Sequence, residues 1–502
     1  MRNAVQLITY ADRLGGSIPG AHALVRSTFG DALGGVHLLP YFTPFDGADA
    51  GFDPVDHTEV DPRLGTWEDV RALSQDYDVM TDMIVNHVSS RSAAFLDYVE
   101  HGEASEHAPM FLTMSSVFPE GATEDELAAI YRPRPGLPFT PVQIDGRRRY
   151  VWTTFTSEQI DIAVDSAQGR HYLTSIMERL AASGVTLLRL DAVGYAVKTP
   201  GTSCFMTPET FDFIDEIAAE ARALGLAVLV EVHSYFQDQV DIASRVDWVY
   251  DFALPPLLLH SVYTRDGAAL DAWLAVRPVN AMTVLDTHDG IGVIDVGPDG
   301  DRPGLLTPAQ IDALVEGMHA CSGGGSRAAT GAAASNLDLY QVNTTYYSAL
   351  GEDDAAYILT RAVQFFVPGI PQVYYVGALA GSDDLELLAE SGVGRDINRH
   401  RYTPDEVAAA IERPVVRDLL ALMRLRSLHP AFAGTSSVAP SGDGAGLSIT
   451  WTHGDASAGL DVDWRTLSAV LTLSRPDGST ASAPLGDVTR LAADVLQTPS
   501  AR

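Results

Sequence analysis

The sequence predicts an α/β chain built on a (β/α)8 barrel (TIM barrel), and three observations carry that prediction. Eight short, β-rich apolar runs alternate with helical stretches. Polar and charged residues gather at the C-terminal ends of those runs, the end that holds the site in such a barrel. No glycine-rich dinucleotide turn follows the first run, which disfavours the runner-up, a doubly wound open sheet.

The runs fall at residues 5–9, 35–42, 77–87, 185–195, 227–233, 248–252, 281–289 and 370–375. Helical patterns at 21–29, 211–224 and 354–366 precede the second, fifth and eighth. The barrel is expected to use residues 1–87, 166–289 and 354–435. Two gaps are too long for barrel loops. Residues 88–165, after strand 3, read as an inserted domain with a helical piece at 124–130 and a strand at 150–152. Residues 290–353, after strand 7, read as a second insertion: a helix at 308–319, then a Gly/Ala tract expected to be a flexible loop. Helices from 404 and over 414–428 follow. From about 436 to 502, short strands at 447–452 and 467–474 between Gly/Asp/Ser turns predict a small C-terminal β domain.

The 502 residues suffice for a full core. The opening apolar run is too short for a signal peptide, and no run approaches the ~20 apolar residues of a membrane span. Two distant cysteines, Cys204 and Cys321, fit a reducing compartment, so a cytoplasmic protein is expected. The formal charge of −33 disfavours nucleic acid and anionic membranes as partners. Lys198 is the sole lysine, in a Pro/Gly/Thr-rich loop. A phosphate loop of the Gly-Lys-Ser/Thr type is therefore absent, and a pyridoxal Schiff base is disfavoured. Any phosphate must be gripped by Arg, His, Tyr or backbone amides.

The fourth run carries Arg189 and Asp191, unusual charges for a buried strand. Two apart, they leave the same face. A structural ion pair is one reading. The other is a carboxylate held ionised by its Arg neighbour, as a nucleophile requires. Asn86, His87, Glu231, His233, Asp286, His288 and Asp289 stand at other strand ends, and such a convergence favours catalysis by carboxylates. Glycoside chemistry needs one carboxylate ionised and one carboxyl protonated. Asp191 is expected to be the anion. Glu231, approached through apolar residues 227–230, is expected to be the proton donor. Asp289 is either a third carboxylate opposing positive charge on the sugar or a helix N-cap. The histidines serve the core, sugar hydroxyls or a metal; with no HExxH-type spacing, no metal and no cofactor are expected.

Residues 82–87, Arg189 to Asp191, Glu231 and His288-Asp289 resemble, in order, the four motif regions of the α-amylase family of retaining glycosidases. The resemblance spans the whole barrel. It departs at Tyr195, where Lys or His is usual, and at Thr287, where Asn is common. Residues 44–53, 285–292, 337–343 and 394–399 look like the branch of that family that cleaves sucrose with phosphate. That resemblance implies Asp191 as nucleophile, Glu231 as general acid/base and Asp289 as transition-state stabiliser, without the calcium dependence of amylases. It implies a glucosyl pocket held by Asp49, Phe52, His87, His288 and Arg395, walled by Phe155 and Tyr195 with Gln159 nearby. It implies an acceptor side of Tyr131, Arg134, Leu337, Asp338, Tyr340 and Gln341, where fructose leaves and phosphate enters, with His233 and Arg134 offsetting the phosphate charge. A solvated loop charge is the alternative for Arg134. The implied small molecules are sucrose, inorganic phosphate, glucose 1-phosphate and fructose, and a homodimer is implied. Other glucoside phosphorylases, a hydrolase, or a silent binding protein remain as alternatives.

Overall fold

A parallel strand is buried on both faces only when helices cover the outside of its sheet, and an alternation of apolar runs with helices supplies both layers. The computed structural model describes residues 1–47, 49–132, 136–330 and 341–496. The eight runs form β1 (Gln6–Thr9), β2 (Gly35–Leu38), β3 (Asp78–Ile84), β4 (Val185–Asp191), β5 (Ala227–Val230), β6 (Trp248–Asp251), β7 (Ala281–Thr283) and β8 (Ile370–Tyr374). Each pairs in parallel with the next, and β8 returns to β1 through Gln6↔Gln372 and Ile8↔Tyr374. The barrel thus closes in sequence order and leaves no edge strand. Helices Ala167–Ala182 and Pro208–Ala223 lead into β4 and β5. Ser166 and Thr207 start them by accepting hydrogen bonds from Gly169 N and Thr210 N, and Pro208 sits in the first turn, where no N–H is needed.

The strands stop earlier than the sequence runs do. β5 ends at Val230 and β7 at Thr283, so Glu231, His233, Asp286, His288 and Asp289 lie in the loops above the ladder. A continued ladder would turn alternate residues into the apolar helix layer, which is costly for a charge.

Residues 88–165 depart from the barrel end. They hold helix Ala93–His101, an antiparallel hairpin of Phe139–Ile144 with Arg147–Trp152, and strand Gln159–Asp161, which pairs with His87–Ser89. Val117, Phe118, Ile130 and Trp152 join Cys204 in a small apolar cluster separate from the main core. After β7, helix Pro308–Cys321 is followed by helix Gly325–Thr330, where the sequence suggested only a flexible tract. Ser326 there is fully buried, 2.7 Å from His319 Nδ1, and Gly325 has no Cβ to meet Leu385, so this stretch packs. Gln341–Val342 then pairs antiparallel with Ile291–Gly292.

The C-terminal region is a five-stranded antiparallel sheet in sequence order, from Thr435–Pro440 to Thr480–Pro484. Leu447, Ile449 and Trp451 alternate onto its buried face, and Trp451 Nε1 donates to the Phe366 carbonyl at 2.7 Å. Helix Val488–Val495, which the strand pattern did not suggest, follows. Among the described residues, no helix is long and apolar enough to cross a membrane.

Candidate active site

Arg189 and Asp191 share one face of β4, and Leu190 pairs with Val230, so Asp191 and Glu231 follow at one height on neighbouring strands. One guanidinium joins them: Arg189 Nη1 lies 2.9 Å from Asp191 Oδ1, and Nη2 lies 3.7 Å from Glu231 Oε1. Arg189 also binds Asp82, its register partner on β3, and Asp82 has His37 Nε2 at 2.9 Å. Burial works to raise Asp82, but Arg189 and His37 outweigh it and bring the carboxyl down to about 2. The side chains of Asp191, Glu231 and Asp289 keep 14%, 12% and 12% exposure, so none is aimed at bulk solvent.

One expectation changes here. Burial pushes the Asp191 carboxyl well above the ordinary carboxylate range; Glu231, Asp82 and Asp289 add to the rise, and Arg189 opposes it. The sequence argument gave Asp191 a private arginine, whereas three carboxylates divide that cation. Burial and the neighbouring carboxylates therefore work against the charged form of Asp191, and the shared Arg189 works for it.

Asp289 is the firm anion. Burial disfavours its charge, but Arg395, Arg399 and Arg189 together hold it well below the ordinary range. Arg395 Nη1 approaches Asp289 Oδ1 to 2.8 Å and Asp49 Oδ1 to 3.9 Å. His288 stacks on Phe52 at 4.8 Å and 7°, and burial brings its pKa down to about 3, so it is neutral. The Phe52 carbonyl accepts from His87 Nε2 at 2.9 Å and from Gln159 Nε2 at 3.3 Å. Phe155 meets His87 and Tyr195 edge-on at 5.4 and 5.1 Å. Phe52, His87, Phe155 with Gln159, Tyr195 and His288 come from five chain segments and form one continuous chain of contacts.

Lys198, placed in a loop by the sequence, is buried. Its Nζ binds Asp161 Oδ2 at 2.7 Å, Asn86 Oδ1 at 2.9 Å and the Tyr195 carbonyl. Each partner is next to, or part of, the pocket lining: His87 follows Asn86, Gln159 stands two before Asp161, and Tyr195 is itself a wall. Among the described residues, no group of three or more His, Cys, Asp or Glu is placed to hold a metal ion. Asp286, grouped with the site by sequence, turns instead to the buried Arg361 at 2.5 Å.

The other side of the acids is aromatic and polar. Ala192, in the left-handed region at φ 56°, turns β4 into the short helix Val193–Tyr195, which sets the Tyr195 ring. Phe205 packs on Tyr195 at 4.6 Å and on Tyr131 at 4.9 Å. A Cβ on Gly194 would come within 2.7 Å of Phe205, so the approach needs glycine. His233 Nε2 lies 3.8 Å from Glu231 Oε1 and 3.0 Å from Gln341 Nε2. Arg134, Leu337, Asp338 and Tyr340 lie outside the described residues.

Sequence reasoning missed Phe205, Arg399, Lys198 and Asp295. Phe205 is flanked by Cys204 and Met206, both left-handed although neither is glycine or asparagine, and nothing in the sequence announces that. Asp295 does have a signal: an acid in the apolar run 291–296.

A family profile described as "Alpha amylase, catalytic domain" matches residues 32–250. The chain is 56% identical over 477 residues to the sucrose phosphorylase of Agrobacterium vitis, covering 94% of this chain and 98% of that one. It is 56% identical over 483 residues to the sucrose phosphorylase of Bifidobacterium adolescentis, covering 94% and 96%. The crystal structure of sucrose 6F-phosphate phosphorylase from Thermoanaerobacter thermosaccharolyticum superposes with a TM-score of 0.89 at 36% identity, covering 96% of this chain and 98% of that one.

Proposed function

Because this chain belongs to the α-amylase family, in the branch of the sucrose phosphorylases, we propose that it catalyses the reversible phosphorolysis of sucrose to α-D-glucose 1-phosphate and D-fructose. The observation that carries the reading is the placement of Asp191 and Glu231 at one height on neighbouring strands, bridged by Arg189. Asp191 attacks the anomeric carbon of the glucosyl unit while Glu231 gives its proton to the glycosidic oxygen. The C–O bond to fructose breaks, fructose leaves with the proton, and a β-glucosyl ester remains on Asp191. Phosphate then attacks the same carbon from the side fructose left. The ester electrons return to Asp191, the phosphate proton passes to Glu231, and two inversions give net retention. Positive charge growing at the anomeric carbon favours the Asp191 carboxylate, while Glu231 supplies the proton to the leaving oxygen. Asp289, held ionised by Arg395, opposes the charge on the ring.

In this reading Asp49, Phe52, His87, Phe155, Gln159, Tyr195, His288 and Arg395 hold the glucosyl unit. Tyr131, Arg134, Leu337, Asp338, Tyr340 and Gln341 form the acceptor side, carried by the insertions 88–165 and 290–353, and His233 stands beside it from the loop after β5. Arg134 and His233 offset the repulsion between phosphate and the newly ionised Glu231. The reading extends to a cytoplasmic homodimer, for which light scattering on the purified enzyme is the check.

The test is one incubation with sucrose, with and without phosphate, resolving α-glucose 1-phosphate from free glucose. Phosphate-dependent α-glucose 1-phosphate supports the proposal. Glucose release that ignores phosphate makes the enzyme a hydrolase, and turnover of sucrose 6'-phosphate in preference to sucrose moves it to the neighbouring branch.

A further inference from the structure

Phosphate, unlike fructose or water, brings negative charge to a Glu231 that has just lost its proton. His233 is the described residue that faces this place, and its geometry is fixed from behind. His233 Nδ1 lies 2.8 Å from Asp295 Oδ2. Asp295 is fully buried, and its other oxygen accepts from Gln239 Nε2 at 3.0 Å. The imidazole stacks on Phe252 at 3.8 Å and 14°. Gly292 makes the pair possible: a Cβ there would lie 2.2 Å from Asp295 Oδ2 and 2.9 Å from His233 Nδ1. Nothing in the double displacement uses Asp295, yet its charge is buried where only a partner justifies it.

We propose that Asp295 is a positioning residue of the acceptor side, which holds His233 as an imidazolium with Nε2–H aimed beside Glu231 and so supplies a fixed cation for phosphate. This rests on the phosphorolysis reading. Among the described residues, the charged groups facing the ring include Asp295, Glu231 and Asp289, and the neutral ones include Gln239, Gln341 and Phe252. Burial alone would discharge the imidazole, but the Asp295 charge and hydrogen bond, then Glu231 and Asp289, reverse that and raise its pKa above the ordinary value. The imidazolium is present below that raised value and lost above it. Removing the Asp295 charge therefore brings the loss to lower pH. Gln341 Nε2 faces His233 Nε2 at 3.0 Å, and an imidazolium there requires the amide to turn its oxygen to Nε2–H.

Asp295→Asn keeps the shape and removes the charge. KM for phosphate, kcat and the ratio of α-glucose 1-phosphate to free glucose are measured between about pH 6 and 8, the range in which imidazole titrates. Losing one charge-assisted contact raises KM for phosphate about tenfold, the product ratio falls alike, and the alkaline limb moves to lower pH. His233→Gln shows the same rise, and adding Asp295→Asn to it changes KM by less than about twofold, because the two act as one unit. NMR of ring-labelled histidine in the unmodified enzyme places His233 above the ordinary imidazole value. An unchanged phosphate KM and pH limb in Asp295→Asn, an equal loss of transfer to phosphate and to water, or a His233 that titrates below the ordinary value overturns the proposal. If the unmodified enzyme makes no α-glucose 1-phosphate, the phosphorolysis reading falls, and the NMR titration alone decides the Asp295–His233 pair.

Discussion

On the proposed reading, the glucosyl side of the pocket and its acceptor side are built from different material. The glucosyl side stands on strand ends that the barrel ladder fixes: Arg189, Asp191 and Glu231 differ in height by no more than the register of β4 and β5 allows. It is dense in charge, with Asp82, Asp289, Arg395 and Arg399 buried or nearly so around the same centre. The proposed acceptor side hangs from loops: Tyr131 and Phe205 give it rings, packed on Tyr195 at the boundary, and His233 and Gln341 give it polar groups. The contrast teaches a division of labour. A reaction that moves charge needs preorganised groups on rigid elements, whereas a choice of acceptor is set by loops that vary without disturbing the barrel.

The contrast is broken most directly at its boundary. Glu231→Gln removes the proton donor and lowers turnover of sucrose by about 10³-fold, within the range general acid catalysis supplies. A glucosyl donor whose leaving group needs no proton, such as α-glucosyl fluoride, regains most of the first step. Initial rates on both donors decide; equal losses on both would remove Glu231 from its role.

The next test is the clamp behind the glucosyl side. Lys198→Met leaves Asp161 fully buried without its cation, which costs about 3 kcal/mol of stability, the scale for breaking a buried ion pair. Thermal unfolding reads the loss, and the KM for sucrose rises with it because Asn86 and Tyr195 lose the same anchor. An unchanged melting temperature would make the clamp idle.

A smaller effect belongs to acid. His57 is fully buried against Phe42 at 4.4 Å, and burial brings its pKa down to about 4. The unfolded chain binds this proton near 6.5 and the folded chain does not, so the contribution is full above 6.5 and is lost as pH falls toward 4. The loss reaches about 2 kcal/mol by pH 5. His57→Leu flattens the fall of melting temperature between neutral pH and pH 5; an identical slope would contradict this.

The smallest effect is on the acceptor side. Phe205→Ala removes one ring from the Tyr131–Phe205–Tyr195 group and weakens fructose binding in the synthetic direction by about two- to tenfold, the scale of one aromatic pair. The KM for fructose rises while transfer to water is altered less; a uniform loss would place Phe205 on the glucosyl side.

The same division explains what the sequence made legible. Charges inside apolar runs stand out, so Arg189, Asp191 and Glu231 were found from the pattern alone, and the alternation of runs and helices sufficed for the barrel. Strand ends were overread at β5 and β7 because a polar residue after an apolar run looks alike in a ladder or just above it. The surroundings of Asp191 are only half legible, because one arginine nearby in sequence says nothing of the other carboxylates it serves. Lys198 is the loop residue the sequence suggests, but its burial is not legible because Asn86 and Asp161 lie 112 and 37 positions away. Phe205 depends on two left-handed residues that composition does not mark.

The central claim is that Asp191 carries the sugar between its two partners. The most direct measurement is to mix enzyme with sucrose in the absence of phosphate, quench with acid within the first turnover, and map the modified peptide by mass spectrometry. The account predicts one added glucosyl unit on Asp191, discharged as α-glucose 1-phosphate when phosphate is added before the quench. Steady consumption of sucrose with no adduct, or with the adduct on another residue, would contradict it.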